Sequence, residues 1–183
     1  MKKFILIALT LPSLSALQAQ KYYTKNANLY FNASSPATKI EATNKAGTFV
    51  LDSKTGVVAV SLLVKGFTFS QSLMQQHFNE SYIESDKYPK AEYKGTITNN
   101  ADIKYSTNGI YNAKLSGKLT MHGITNEINN TAVITVANGV VTATTSFTTT
   151  ADAYKINIPA ASKQSIGKTI TITANTNNLT LLK

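Results

Sequence analysis

The chain contains no cysteine, no arginine and, beyond its first residues, no hydrophobic run long enough to cross a bilayer. Without cysteine there can be no disulfide, no thiolate metal site and no lipid attached to a cysteine behind a leader. Burial and strand pairing must therefore supply the stability that secreted domains often draw from covalent staples. All 18 basic residues are lysine. Readers of nucleic acid lean on arginine for bidentate contacts to phosphate and guanine, so nucleic acid is not an expected partner. The net charge of +9 reads as surface solvation, with a bias toward anionic head groups or membrane surfaces. Catalytic signatures are missing too: no G-x-S-x-G elbow, no phosphate-cradling glycine loop, no H-E-x-x-H and no dinucleotide fingerprint. The two histidines, His77 and His122, read as side chains satisfied by local hydrogen bonds, and Glu80, Glu84 and Asp86 lack the alternation of a calcium loop. No catalytic residue, metal or cofactor is expected, and the chain does not read as an enzyme.

What is present begins with a secretory signal. Lys2 and Lys3 form a basic end, Phe4 to Leu17 is largely apolar, and Ala19 is a small residue suited to cleavage before Gln20. The expected organisation is a signal peptide over 1–19 and a single domain over 20–183, with a periplasmic or secreted location, soluble once the signal is removed. A domain of that length can bury a sizeable core.

Much of the remaining sequence alternates. Tyr111, Ala113, Leu115, Gly117, Leu119 and Met121 are separated by Asn112, Lys114, Ser116, Lys118 and Thr120, the period of a strand with one dry face. Val58, Val60, Leu62 and Val64 repeat the pattern, as do Ile170, Ile172 and Ala174. His122-Gly123 and Asn138-Gly139 mark hairpins, glycine supplying the positive φ that such turns need. These signals predict strands near 27–34, 39–51, 56–66, 91–100, 102–121, 124–137, 140–150 and 168–182, with an irregular stretch over 154–167. Eight hairpin-linked strands mean a barrel or a sandwich, and alternation does not choose between them.

One segment breaks the pattern. From Ser70 to Tyr82 the spacing predicts an amphipathic helix, with Leu73, Met74, His77, Phe78, Ser81 and Tyr82 on one face and Gln71, Ser72, Gln75, Gln76, Asn79 and Glu80 on the other. Ser72 with Gln75 fits a capping box, and Pro89 bars helix beyond Tyr88. Flanked by Phe67 and Phe69 and followed by Glu84-Ser85, Tyr88-Pro89, Ala91 and Tyr93, this stretch resembles the YceI family of secreted bacterial lipid-binding proteins. The resemblance extends to Gly117, Leu119, His122, Gly123 and Ile124, and to Tyr154-Lys155-Ile156, Ile166-Gly167 and Ile170-Thr171-Ile172. It departs at the start, where many relatives open with a tryptophan-bearing strand and this chain reads Lys21-Tyr22-Tyr23-Thr24.

The resemblance implies an all-β fold, an eight-stranded antiparallel lipocalin-like barrel with the amphipathic helix inserted after the third strand as a lid. It also implies an interior that holds a polyisoprenoid or another amphipathic lipid. In that setting the ligand-lining residues are Phe67, Phe69, Leu73, Met74, Phe78, Tyr82, Tyr111, Leu115, Leu119, Met121, Phe147, Ile170 and Ile172. Methionine suits such a wall because it is flexible and polarizable. Transient contact with a membrane surface and pairing as a homodimer are both compatible with the sequence. Competing readings are an extracellular adhesion or scaffold domain with a filled core, and a lipid-acting enzyme.

Overall fold

The computed structural model describes residues 20–182. The proposed signal segment lies outside them. Ten strands form one antiparallel sheet: β1 (Lys21–Ser34), β2 (Glu41–Asp52), β3 (Val57–Leu63), β4 (Thr68–Phe69), β5 (Lys90–Ile97), β6 (Gly109–Met121), β7 (Ile124–Ala137), β8 (Val140–Thr149), β9 (Ile166–Asn175) and β10 (Thr180–Leu182). Eight of them close a barrel in the order β1, β2, β3, β5, β6, β7, β8, β9, and β1 completes the ring by pairing with both β2 and β9. The two short strands are annexes, β4 on the start of β2 and β10 on the start of β1. The helix α1 (Ser72–His77) continues as a wider π turn over Phe78–Tyr82 and sits between β3 and β5, as expected.

Strand boundaries depart from the expectation in three places, each with a local cause. β1 begins at Lys21 rather than 27, because a bulge at Lys25-Asn26 changes the phase of the inward positions from Tyr22 and Thr24 to Ala27, Leu29, Phe31 and Ala33. A second bulge at Lys45-Ala46 does the same in β2 beside it. Residues 98–108, expected as strand, instead fold across one end of the barrel. Asn99 there donates Nδ2 to the Asn112 carbonyl at 2.9 Å, and Tyr105 donates its hydroxyl to Asn100 Oδ1 at 2.7 Å. The expected final strand splits into β9 and β10 where Asn177 adopts φ +50° and donates its backbone N–H to Asn175 Oδ1 at 2.7 Å.

The core runs along the barrel axis. Leu51, Val58, Ile97, Ala113, Ile134, Val136 and Val141 are buried at the end farthest from α1, where Tyr22 and Tyr105 stack with ring centroids 5.8 Å apart. At the opposite end lie α1, the segment 83–89, the β6–β7 hairpin and the stretch 150–165.

Candidate functional site

Inward positions of the barrel strands enclose a cavity of about 190 Å³. Its wall is almost wholly apolar: Leu29 and Phe31 from β1, Phe49 from β2, Val60 and Leu62 from β3, Tyr93 from β5, Leu115 and Leu119 from β6, Ile128 from β7 and Ile172 from β9 are typical. No lysine lines it. Period-two patterning is what places these residues together, since every second side chain of each strand must face the same way.

The ligand-lining residues read from the sequence divide. Phe67, Phe78, Leu115, Leu119, Met121, Phe147, Ile170 and Ile172 lie in the cavity wall. Phe69 lies behind the wall against Phe31 and Phe78. Tyr111 packs against the core and donates its hydroxyl to the Thr107 carbonyl at 2.9 Å. Met74 and Tyr82 are half-buried under the helix without reaching the cavity. Leu73 is 60% exposed. The helix is therefore rotated from the expected phase: its covered positions are Met74, Gln75, Phe78, Asn79 and Tyr82, whereas Leu73, His77 and Ser81 face out. Two polar side chains are inward because they serve the backbone. Gln75 Oε1 accepts from the Phe69 N–H at 3.3 Å, and Asn79 Nδ2 donates to the Gln75 carbonyl at 3.0 Å. The expected Ser72–Gln75 capping box does not form.

Sequence reasoning missed Phe31, Phe49, Val60, Tyr93, Ile128 and Ile156 as wall residues. Val60 and Tyr93 were legible as period-two positions, whereas Phe31 and Phe49 were hidden by the bulges before them. Tyr93 is the odd member. Gly95 and Gly117 face each other across β5 and β6, and a Cβ on either would lie within 2.6 Å of the Tyr93 hydroxyl oxygen. The bare glycine pair thus makes room for the ring, and its hydroxyl has no hydrogen-bond partner. Burial pushes that phenol's pKa up.

Aromatic side chains crowd both ends of the barrel. Toward the helix, Phe31, Phe67, Phe69 and Phe78 form one aromatic cluster, with centroid separations from 5.1 Å for Phe69–Phe78 to 5.9 Å for Phe67–Phe78. Beside it, His122 Nδ1 lies 2.9 Å from the Tyr154 carbonyl and His122 Nε2 2.8 Å from Glu84 Oε2. Tyr88 stacks edge-on against the same imidazole at 4.5 Å. Tyr154 is fully buried, its hydroxyl near Asn126 and Thr149 but without a partner at hydrogen-bond distance, and burial pushes its pKa up. His122 is thus satisfied, but by residues distant in sequence rather than by the local hydrogen bonds expected. No cluster of three or more His, Asp or Glu side chains suited to a metal occurs among the described residues.

A family model described as the YceI-like domain matches residues 21–177. No curated protein matches the chain. Among solved structures, a polyisoprenoid binding domain from Saccharophagus degradans implicated in plant cell wall breakdown aligns with TM-score 0.74 at 10% identity, covering 90% of this chain and 98% of that one. BcnA of Burkholderia cenocepacia aligns with TM-score 0.66 at 13% identity, over 86% of this chain and 96% of its own. A YceI protein of Campylobacter jejuni aligns with TM-score 0.53 at 12% identity, over 100% of this chain and 99% of its own. At these identities the structural likeness speaks to the fold.

Proposed function

Because the chain belongs to the YceI-like family, we propose that it is a secreted or periplasmic binding protein that holds a polyisoprenoid or similar amphipathic lipid in the barrel cavity, as a carrier or store, without catalysing a reaction on it. The observation that carries this reading is the continuous apolar wall running through the barrel. A scaffold domain with a filled core has no use for such a space. The polyisoprenoid binding of the Saccharophagus degradans domain, which shares the fold, supports the same ligand class. Export with cleavage after Ala19 belongs to the proposal. So does brief contact with an anionic membrane surface, for which exposed Leu63, with Lys90 opposite it in the β3–β5 ladder, and exposed Leu73 are suited. The reading is indifferent to whether two copies pair.

Burying ten methylenes of a ligand is worth about 8 kcal/mol relative to water. A bilayer offers the same gain, so selectivity must come from the cavity's shape, the ligand's polar end and the barrier to passage. Size sets the first of these. A cavity of about 150 Å³ accommodates benzene, and this one is about 190 Å³. A long chain is therefore housed only when wall side chains change rotamer, and a bound structure should show flexible Met121 displaced.

Native mass spectrometry of protein purified without detergent tests the reading, followed by unfolding of stripped protein with a polyprenyl phosphate, a quinone or a straight-chain fatty acid added separately. Ligand at a hundred times its Kd should add about 2.7 kcal/mol to the unfolding free energy. An isoprenoid that stabilises more than the fatty acid supports the proposal. If none of the three shifts unfolding and no lipid accompanies the purified protein, the carrier reading falls to the filled-core scaffold.

A further inference from the structure

The barrel is closed as a ring but its ladders are not all complete. β7 pairs with β6 along its full length, from Gly109–Val136 to Met121–Ile124. On its other side it pairs with β8 only from Ala137–Val140 to Ala132–Thr145. Beyond that point Ile124–Thr131 of β7 keeps its β6 partner alone, while Ser146–Thr149 of β8 keeps its β9 partner alone. The two strands part there, leaving a seam that extends along about 13 Å of β8 at the usual rise per residue. Side chains pin the fork: Asn130 Nδ2 donates to Thr145 Oγ1 at 2.6 Å, and Thr145 Oγ1 donates to the Thr131 carbonyl at 2.7 Å. At the other end of the seam the turn Asp152–Tyr154 acts as a stop, with Asn126 Nδ2 donating to the Ala153 carbonyl.

The cavity wall extends to this line. Its wall includes Ile128 and Asn130 on one lip and Phe147, Thr149 and exposed Thr150 on the other. Ile128 and Phe147 face inward yet are only half-buried, in contrast to Ile134 and Ala113 deeper in the barrel. The alternatives are crowded: four phenylalanines and the His122 cluster occupy the helix end, and the Tyr22–Tyr105 stack with the 98–108 segment occupies the other.

We propose that the seam between β7 and β8 is a lateral portal through which the ligand's hydrocarbon chain passes into and out of the cavity. This rests on the lipid-holding reading. A sideways passage lets a chain slide in along its length, without unstacking the phenylalanine cluster. On their inward side the lips carry amide, hydroxyl and apolar groups, while Glu127 lies on the outer face of β7, so they suit a neutral chain crossing from a membrane or another carrier.

The absence of cysteine makes a direct test available. Asn129 and Thr148 are exposed, lie on the two sides of the seam and line no part of the cavity. The double variant Asn129→Cys with Thr148→Cys is joined by a short bismaleimide. Uptake of farnesol carrying an anthraniloyl fluorophore is followed by stopped flow before and after joining. Lys118→Cys with Glu127→Cys, a pair already opposed in the complete β6–β7 ladder, is the control. Joining across the seam should slow uptake and release at least tenfold with little change in affinity, and joining the control pair should change neither. If the joined seam takes up the probe at the unjoined rate, the portal lies elsewhere while the lipid reading stands. If the unjoined protein takes up none of the probe, the lipid reading fails and the portal with it.

Discussion

His122 stands where three segments distant in sequence meet, and its imidazole satisfies two of them at once. It is 9% exposed, with the Tyr154 carbonyl on one ring nitrogen and the Glu84 carboxylate on the other. Glu84, His122 and Lys155 all adopt positive φ, so the backbone bends sharply at each corner of this junction. Four of the motif residues that carry the family resemblance, Glu84, Tyr88, His122 and Tyr154, thus hold the barrel's helix end together and do not line its cavity. His122→Ala leaves a buried carbonyl without a donor and should cost about 1–3 kcal/mol in urea unfolding; an unchanged midpoint would show that the junction contributes nothing. Asp52 gives a second residue-level expectation. Backbone N–H groups of Thr55 and then Lys54 hold its carboxyl below the usual carboxylate range. With the folded value depressed, its contribution is complete above the unfolded pKa of about 4 and disappears as pH falls through the lower folded value. Asp52→Asn should therefore lower stability at neutral pH and match the parent in strong acid, and an equal deficit at both pH values would refute the assignment.

Among the elements, α1 shows how far periodicity carries. Its existence and its place after β3 follow from the sequence, but apolar spacing set the wrong phase. The true buried face includes Gln75 and Asn79, whose polar ends bond the backbone, and a hydrophobicity pattern counts such residues as outward. The same physics separates two substitutions. Leu73→Ser should be near neutral, because the side chain is already in solvent, whereas Phe78→Ala removes the ring that touches Phe31, Phe67 and Phe69 and should cost about 3 kcal/mol. Equal effects in thermal unfolding would contradict the observed rotation. Strands were legible wherever alternation is unbroken: β7 matches its expected bounds, and β3, β5 and β8 differ by a few residues at their ends. β2 also lies within two residues of its expected bounds, but the start of β1 was not legible, because a single bulge inverts the parity on which the reading depends.

At the scale of the whole molecule, the barrel could not be told from a sandwich by composition or alternation; the family resemblance decided it, and ring closure by β1 is what the structure adds. Eight of the ligand-lining residues read from the sequence do lie in the cavity wall, because inward faces of β6, β8 and β9 are regular enough to read. The seam was beyond reach, since a missing ladder leaves no mark on residue identity. The proposed export predicts an intact mass that begins at Gln20, and a mass retaining Met1 to Ala19 would overturn the proposed cleavage.

The seam also has a signature in time. Along Ile124–Thr131, alternate amides point toward β6 and toward the gap, so hydrogen exchange should run slow and fast in strict alternation along one strand. A hydrocarbon chain lodged in the cavity offers no acceptor and would leave the fast set fast. Strands that drew together around a ligand would silence it, so the deuterium uptake of this one strand distinguishes an occupied barrel from a closed one.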